Sequence, residues 1–436
     1  MTEAALPRDS SSGKPAHPAQ AGARVTAVWR AIELILLIGL VISHWAPDPA
    51  RINSLILFIP IFAGRAVVLR RLITRTPIDY YLAALIALCV LNIAIAPYTW
   101  GMWSVSRVVM GVGIVWVIGD WGRTPGALRA LLVGTAGFAA LVGVVALLTS
   151  QYTIKSSLLQ GIIDALPRLR DLPLVGAGFN VNEIGGALCL LAPAAAALAL
   201  TDRVRVPGLT RALAWAALIT LTAALLLGQS RMAIIGALIG GVVAIFLVMR
   251  AGVRRQVALA GLVAIAVLEM VLALNLLVPS GLAVQSVERD VGSQIGRTNI
   301  WRAGIEVLRD YPLTGVGINQ FRTRAVRARY PVEGYETAIL PHAHNLVLQI
   351  GADLGLPGIA LYVGWSAAWI GLLWRAWRMG DGVVRTIAAG LGAAWAAHMI
   401  FNLADAITLF DRWIWLYWLL IGLGVAAARR VIVRTM

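Results

Sequence analysis

The chain has 436 residues, of which 59% are hydrophobic and only 13% are charged, and its mean hydropathy is +0.81. This composition excludes an ordinary soluble domain, in which about a quarter of the residues are charged. The net charge of +16 would favour nucleic acid only if the basic residues clustered on one soluble face. Here they lie in short breaks between apolar segments, so we expect membrane lipids as surroundings and no nucleic-acid partner.

The first 24 residues are polar and rich in Ala, Ser, Pro and Gly, and no apolar segment begins before Val25. They lack the apolar core of a signal peptide and the periodicity of a fold. The composition predicts a disordered cytoplasmic tail at 1–24, followed by a single transmembrane domain over 25–436.

Apolar runs of spanning length recur through the rest of the chain. A hydrocarbon core of about 30 Å needs about 20 apolar residues per helix, and lipid offers the backbone no partner outside a helix. The sequence therefore predicts an all-α, polytopic integral membrane protein with about twelve transmembrane helices. They fall approximately at 27–46, 52–69, 80–97, 104–120, 129–149, 184–201, 212–228, 232–249, 256–279, 346–374, 386–402 and 413–429.

Arginines in the short loops fall in alternate connections, and the positive-inside rule makes those loops cytoplasmic. By the same rule both termini are cytoplasmic, which agrees with an even number of spans. Two opposite connections are long, at 150–183 and 280–345, and both are expected to face the periplasm. Apolar spacing predicts an interfacial helix at 156–167 and a short helix at 297–309 in the larger loop.

Two of the five histidines, His342 and His344, lie two residues apart where the larger loop re-enters the membrane. A histidine near a helix start is more often structural than catalytic, so position alone leaves both roles open. A metal site is disfavoured because no carboxylate or cysteine lies close in sequence to complete the ligand set. We expect neither a metal nor a cofactor.

Several arginines are predicted at the same face. Arg231 begins a span after a short loop, Arg297 begins the predicted loop helix, and a further run comprises Arg322, Arg324, Arg327 and Arg329. Solvated or snorkelling side chains are the simplest interpretation. However, guanidinium groups bind phosphate oxygens bidentately, and a lipid-linked diphosphate would present its phosphates at this depth. Asn180 precedes the sixth span, where it is expected to cap a helix or contact a substrate.

Three short motifs occur in this topology: GQSR at the start of a span, GVGINQF inside the large loop, and HN entering the next span. The pattern resembles the O-antigen ligase and polymerase superfamily over about residues 180–360. The resemblance implies a membrane-embedded transferase of the GT-C type. Within the superfamily the chain looks most like an O-antigen ligase, which joins glycan from undecaprenyl diphosphate to the lipid A core outside the bacterial inner membrane. That reaction completes lipopolysaccharide.

By the same resemblance, His344 falls where the family places its essential histidine, and Arg231 and Arg297 match positions associated with donor phosphate. His344 would act as general base on a sugar hydroxyl, and arginines would stabilise the leaving diphosphate without a metal. No carboxylate pair stands out, so a single displacement with inversion is expected. The sequence departs from the family at Met232, where a small residue is usual. Further expected substrate contacts are Arg322, which heads the arginine run expected to meet the anionic acceptor, His342, Asn345 and Asn180.

Three alternatives remain open at the sequence level. A glycan polymerase shares the donor, and a protein O-oligosaccharyltransferase shares the chemistry, although its members are expected to be longer. A solute transporter would also have about twelve spans. Transporters usually place polar groups near the bilayer midplane on broken helices. In this chain most polar residues of the spans are predicted at the outer face, with the exceptions of Glu33, Arg107, Glu269 and His398.

Overall fold

A computed structural model of the protein describes residues 18–44, 50–73, 75–96, 99–152, 157–169, 178–202, 206–274, 294–332 and 340–435. The helices in chain order are α1 Pro18–Ser43, α2 Ala50–Asn53, α3 Phe58–Val68, α4 Asp79–Ile95, α5 Thr99–Asp120, α6 Pro125–Thr149, α7 Ser157–Ala165, α8 Val181–Leu200, α9 Gly208–Gly228, α10 Arg231–Val248, α11 Val253–Leu274, α12 Gln294–Asp310, α13 Arg324–Arg329, α14 Leu346–Met379, α15 Gly382–Phe401 and α16 Ile414–Thr435. Two short strands, β1 Ser150–Gln151 and β2 Phe179–Asn180, pair in parallel.

Within the described residues, nine helices are long and apolar enough to cross a membrane. The three other predicted spans coincide with two shorter apolar helices, Ser54–Val68 and Asp79–Ile95, and with α11. The protein is therefore an all-α, multi-pass membrane protein, which confirms the predicted fold class. Residues 18–24, expected in the N-terminal tail, belong to α1 because the helix continues through an Ala-rich stretch with good helix propensity. The rest of the predicted tail lies outside the described residues.

The centre of the bundle is built on close helix contacts. In the spanning windows of α8 and α16, 83% and 89% of the residues are buried, whereas in that of α1 only 17% are. Glycines permit the approach of neighbours: a Cβ at Gly240 of α10 would lie 2.8 Å from the Ala393 carbonyl oxygen of α15. Small residues at such contacts are how helices pack where hydrophobic burial offers no gain over lipid. Hence α8, α10 and α15 pack closely together, α16 is the most buried spanning helix, and α1 lies at the edge.

A break in α14 positions the large loop. Gly355 has φ 70° and ψ −169°, two residues before Pro357, so the helix loses its regular hydrogen bonds there. The loop supplies replacements: Val316 N donates to Ala352 O at 2.8 Å and Leu356 N donates to Pro312 O at 2.7 Å. The positive φ of Gly315, 62°, and its contact with the Asp353 backbone leave no room for a side chain. The GVG motif therefore docks the loop along the broken helix.

The two predicted loop helices are present. α7 matches the predicted interfacial segment 156–167, and α12 matches the predicted helix 297–309. α12 and α13 share a small apolar core that packs on α14, including Ile300, Phe321, Tyr330 and Ala352. Parts of both long connections, 153–156, 170–177, 275–293 and 333–339, lie outside the described residues.

We call the end of the bundle that carries residues 342–345 the histidine end. α5 begins there, since an added Cβ at Gly101 would lie 3.7 Å from Ile318 O in the large loop. α5 contains 22 residues and ends at Asp120, about 30 Å from its start at a rise of about 1.5 Å per residue.

Candidate active site

The backbone at His344 is held in an uncommon conformation. Its φ is 48°, in the left-handed region that residues with a Cβ seldom adopt. Two hydrogen bonds fix it: His344 N donates to His342 Nδ1 at 3.1 Å, and Trp301 Nε1 donates to His344 O at 3.3 Å. The first bond requires a neutral His342 whose proton is on Nε2. The large loop and the turn before α14 thus aim the His344 side chain together.

Asp405, in the connection between α15 and α16, faces both imidazoles. Its Oδ1 lies 3.4 Å from His342 Nε2 and 3.5 Å from His344 Nδ1. The two rings are close to each other, with centroids 4.4 Å apart. His344 is 7% exposed and Asp405 is 3% exposed, so water scarcely weakens their interaction. We call His342, His344 and Asp405 the His–Asp cluster.

Burial and charge set the protonation of this cluster. Burial lowers the pKa of His342 to about 4, despite the opposite effect of Asp405, so that His342 is neutral at pH 7. Burial alone would raise the pKa of Asp405, but the nearby imidazoles of His344 and His342 hold it below its ordinary value. An ionised carboxylate therefore stands ready to stabilise positive charge that develops on His344.

Arginines surround the cluster. Arg412 makes two bonds to Glu183, at 2.6 and 3.0 Å, and Arg107 donates to the Phe410 carbonyl. Arg107, Arg322 and Arg412 all act electrostatically on the half-buried Asp411, whose pKa is nonetheless raised by desolvation. Arg322 is half-buried and also acts on His342. Cations thus concentrate beside the His–Asp cluster, where a phosphate would be stabilised.

The predicted donor-phosphate arginines differ in their surroundings. Arg297 is half-buried in the first turn of α12, four residues before Trp301, and its Nε has no hydrogen-bond partner among the residues that the structure describes. Because residues four apart share a helix face, Arg297 points towards the side where Trp301 meets His344. Arg231 is exposed at the start of α10, and no contact between described residues joins it to the His–Asp cluster. Ser230 beside it packs against Gly185 at the start of α8.

The predicted asparagines cap helices. Asn345 Oδ1 accepts from Leu348 N at 3.0 Å and its Nδ2 donates to Leu403 O at 3.1 Å. Asn180 Oδ1 accepts from the first-turn amides of α8, at 2.8 and 3.4 Å. The polar groups of Asn345 are thus bonded within the chain, and substrate contact by either residue stays a prediction.

A buried network supports the histidine turn. Ala343 N donates to Gln349 Oε1 at 2.7 Å, and Gln349 Nε2 donates to Asp353 Oδ2 at 2.6 Å. Asp353 Oδ1 in turn accepts from Phe321 N at 3.3 Å, which ties in the GVGINQF segment. No motif in the sequence pointed to these side chains or to Asp405. Gln349 and Asp353 are four residues apart, so their shared buried helix face was the available signal.

The cluster also has the composition of a metal site. One ligand atom each from His342, His344 and Asp405 lies within 4.8 Å of the others. Two imidazoles and a carboxylate suit zinc. The sequence argument against a metal rested on the lack of a carboxylate nearby in sequence, and that reason was wrong because Asp405 comes from a distant loop.

An apolar cavity of about 280 Å³ lies between α8, α9, α10 and α11. Its lining includes Pro193, Leu225, Ile234 and Leu262. Ile234 is one helical turn from Arg231, so the cavity approaches the exposed guanidinium. Such a lining suits a hydrocarbon chain rather than a polar solute.

Comparison with known proteins gives one result for function. Residues 216–363 match the family model described as O-antigen ligase. The matched segment runs from α9 into α14 and includes Arg231, Arg297, Arg322 and His344, whereas Asp405 lies beyond it. A comparison with curated proteins finds no match. The similarity to the O-antigen ligase family is thus shown for residues 216–363, about a third of the chain.

Proposed function

We propose that the protein is an O-antigen ligase of the GT-C type. It transfers glycan from undecaprenyl diphosphate to the lipid A core oligosaccharide at the periplasmic face of the bacterial inner membrane, and both of its termini are cytoplasmic. The observation that carries this proposal is a buried histidine paired with an ionised carboxylate beside several arginines, in a chain matched to the O-antigen ligase family. These groups suit base-assisted transfer from a diphosphate.

His344 is the proposed general base. Its Nε2 makes no hydrogen bond with the described residues, while its Nδ1 faces Asp405. As the acceptor hydroxyl oxygen bonds to the anomeric carbon, the bond from that carbon to the diphosphate oxygen breaks. The diphosphate keeps the electron pair, and the hydroxyl proton passes to Nε2. Asp405 then stabilises the imidazolium, as a carboxylate does for histidine in hydrolytic triads.

The arginines are proposed to stabilise the leaving diphosphate. In the large loop, Arg322 acts on His342, and Arg297 shares a helix face with Trp301, which bonds His344 O. Arg231 lies where the apolar cavity approaches the histidine end. A donor with its hydrocarbon chain in that cavity would place its phosphates near Arg231. Fixed guanidinium groups can supply this stabilisation without a metal ion.

Inversion at the anomeric carbon is the proposed stereochemistry. Asp405 is held against the two imidazoles, and Asp411 Oδ2 accepts from Thr408 N at 2.8 Å. Both carboxylates of this connection are thus engaged within the chain. A retaining enzyme needs a free carboxylate as nucleophile, so a single displacement is the simpler path.

A polymerase would use the same donor and the same cluster, and is the main alternative. A transporter is less well supported. α14 is broken, as transporter helices often are, but the break at Gly355 is filled by the chain's own loop. No transport site is therefore needed to explain the broken helix.

The test is glycan transfer by purified protein from undecaprenyl-diphosphate-linked glycan to lipid A core. His344→Ala should lower the rate by about a thousandfold, within the range for loss of a general base. Arg297→Ala should also lower it, whereas Arg309→Ala, an exposed arginine of α12, serves as the matched control. Full activity of His344→Ala would refute the base assignment.

A deletion strain separates ligase from polymerase. Loss of a ligase leaves polymer on undecaprenyl diphosphate, and loss of a polymerase leaves single repeat units on the core. The second outcome would replace the proposed function with that of a polymerase.

A further inference from the structure

Arg412, in the connection between α15 and α16, is held in one orientation by two different contacts. Its Nε and Nη2 donate to the two carboxylate oxygens of Glu183, at 2.6 and 3.0 Å. Its guanidinium carbon lies 5.2 Å from the centre of the Phe179 ring, which is fully buried. A planar guanidinium that is already fixed by a carboxylate and a ring loses little further freedom when it binds another group.

The outer edge of this guanidinium is available to a ligand. No described residue accepts a hydrogen bond from Arg412 Nη1, and Nη2 has a second N–H beyond the one that it gives to Glu183. The side chain of Arg412 is 36% exposed and that of Glu183 is 26% exposed. Two parallel N–H donors on one edge are the arrangement that binds a phosphate bidentately.

The ion pair lies beside the connection that carries Asp405. Glu183 is three residues before Gly186 in α8, so the two residues share a helix face. A Cβ at Gly186 would lie 2.8 Å from Ile407 Cγ1, and Ile407 is two residues after Asp405. The face of α8 that carries Glu183 therefore packs on the same segment that brings a carboxylate to the histidines.

A second arginine acts at this place. Arg322, from the large loop, acts electrostatically on both His342 and Asp411, and Arg412 acts on Asp411 as well. Glu183 in turn acts on His342. An anionic group bound to Arg412 would therefore lie close to the His–Asp cluster, with Arg322 as a second nearby cation.

The start of α10 lies on the other side of α8. A Cβ at Gly185 would lie 3.1 Å from Ser230 Cβ, and Ser230 immediately precedes Arg231. Glu183 is two residues before Gly185, which places it about 200° away around a helix of 3.6 residues per turn. The first turn of α8 thus separates Arg412 from the start of α10. In the proposed function the donor phosphates lie beside Arg231, which leaves Arg412 to the other substrate.

We propose that Arg412 binds a phosphate group of the acceptor, the lipid A core oligosaccharide, while Glu183 holds its guanidinium in position. This role rests on the proposed function, in which that oligosaccharide is the acceptor. The competing explanation is a purely structural ion pair between α8 and the α15–α16 connection. Ion pairs as exposed as this one contribute little to stability, because water screens them.

The experiment measures equilibrium binding of core oligosaccharide, released from lipid A, to purified full-length protein in nanodiscs. Two probes are compared: the oligosaccharide with its phosphates, and the same oligosaccharide after phosphatase treatment. Arg412→Gln should bind the phosphorylated probe about thirtyfold more weakly than the wild type does, the size of a lost charged hydrogen bond. It should bind the dephosphorylated probe within about threefold of the wild type, because that probe has no phosphate for Arg412.

Two matched variants serve as controls. Glu183→Gln breaks the same ion pair but keeps the charge of Arg412, so it should bind the phosphorylated probe within about threefold of the wild type. Arg168→Gln removes an ion pair of similar exposure, with Asp164, in the connection before α8, and should also leave binding unchanged. Equal weakening in Arg412→Gln and either control would overturn the proposal, and so would equal weakening for both probes.

Transfer kinetics on the same proteins distinguish this inference from the proposed function. The donor KM of Arg412→Gln should stay within about threefold of the wild type, and a rise that matches the loss of acceptor binding would overturn the acceptor assignment. If the wild type binds the phosphorylated probe through Arg412 but transfers no glycan to the core, the ligase function fails and the phosphate site stands. If the wild type transfers glycan but binds the two probes equally, the inference alone fails.

Discussion

Replacing Asp405 by Asn tests how the His–Asp cluster operates. The change removes a negative charge 3.5 Å from His344 Nδ1 and keeps the size of the side chain. At an effective dielectric constant of about 20, two unit charges at this distance interact by about 5 kcal/mol. The interaction is complete only when His344 is fully protonated. With the proton about half transferred in the transition state, about 2.5 kcal/mol is lost, which corresponds to roughly a hundredfold in rate.

The assay is the transfer rate at saturating donor and acceptor, compared with the rate at low substrate. The turnover number should fall about a hundredfold and KM should change little, because Asp405 contacts His344 and not the substrates. Asp411→Asn is the local control, since Asp411 lies half-buried in the same connection but accepts a hydrogen bond from Thr408 N. Activity of Asp405→Asn within tenfold of the wild type would refute the reasoning. An equal loss in Asp411→Asn would show that the charge of the connection, not its contact with His344, matters.

Three further predictions concern the same site. Micromolar Zn²⁺ should inhibit glycan transfer by occupying the His–Asp cluster. EDTA should leave the transfer rate unchanged. A loss of activity in EDTA that Mg²⁺ restores would contradict the metal-free mechanism. Because the folded-state pKa of His342, about 4, lies below its ordinary 6.5, the unfolded chain binds the proton more tightly. The free energy of unfolding of the wild type should therefore fall by about 3 kcal/mol as the pH is lowered from 6.5 to 4, and that of His342→Gln should fall by less. Equal pH dependence of the unfolding free energy in the two proteins would contradict this prediction. Asn345→Ala should lower the free energy of unfolding by about 1 kcal/mol through loss of the cap, and Asn345→Ser should restore it. If Asn345→Ser restores stability but not transfer, the amide contacts substrate.

Hydropathy alone predicted where the chain becomes helical, because in lipid a helix is the only way to satisfy the backbone. The predicted span 346–374 begins where α14 begins, at Leu346, and ends five residues before Met379. The break at Gly355 was not predicted. An apolar window cannot reveal it, since the hydrogen bonds that replace the helical ones come from the loop at 312–316.

The sequence could predict those parts of the site whose residues are close together in the chain. His342 and His344 are adjacent along the turn, so sequence spacing placed them together. Sequence spacing could not place Asp405 in the site, because its approach to His344 depends on how α14 packs on α15. For the same reason the pairing of Glu183 with Arg412, from α8 and the α15–α16 connection, had no signal in the sequence.

The motif residues acquire physical roles from this packing. Gly315 lets the loop lie against Asp353, and Asp353 then bonds both Phe321 N and Gln349. Gln349 holds Ala343 N, one residue before His344. The GVGINQF segment and the HN pair are therefore two ends of one hydrogen-bonded path, although 22 residues lie between them in the chain. Because a left-handed His344 is costly in an isolated turn, the path explains how the position of the proposed base is kept: the loop and the broken helix must both be in place before His344 can face Asp405.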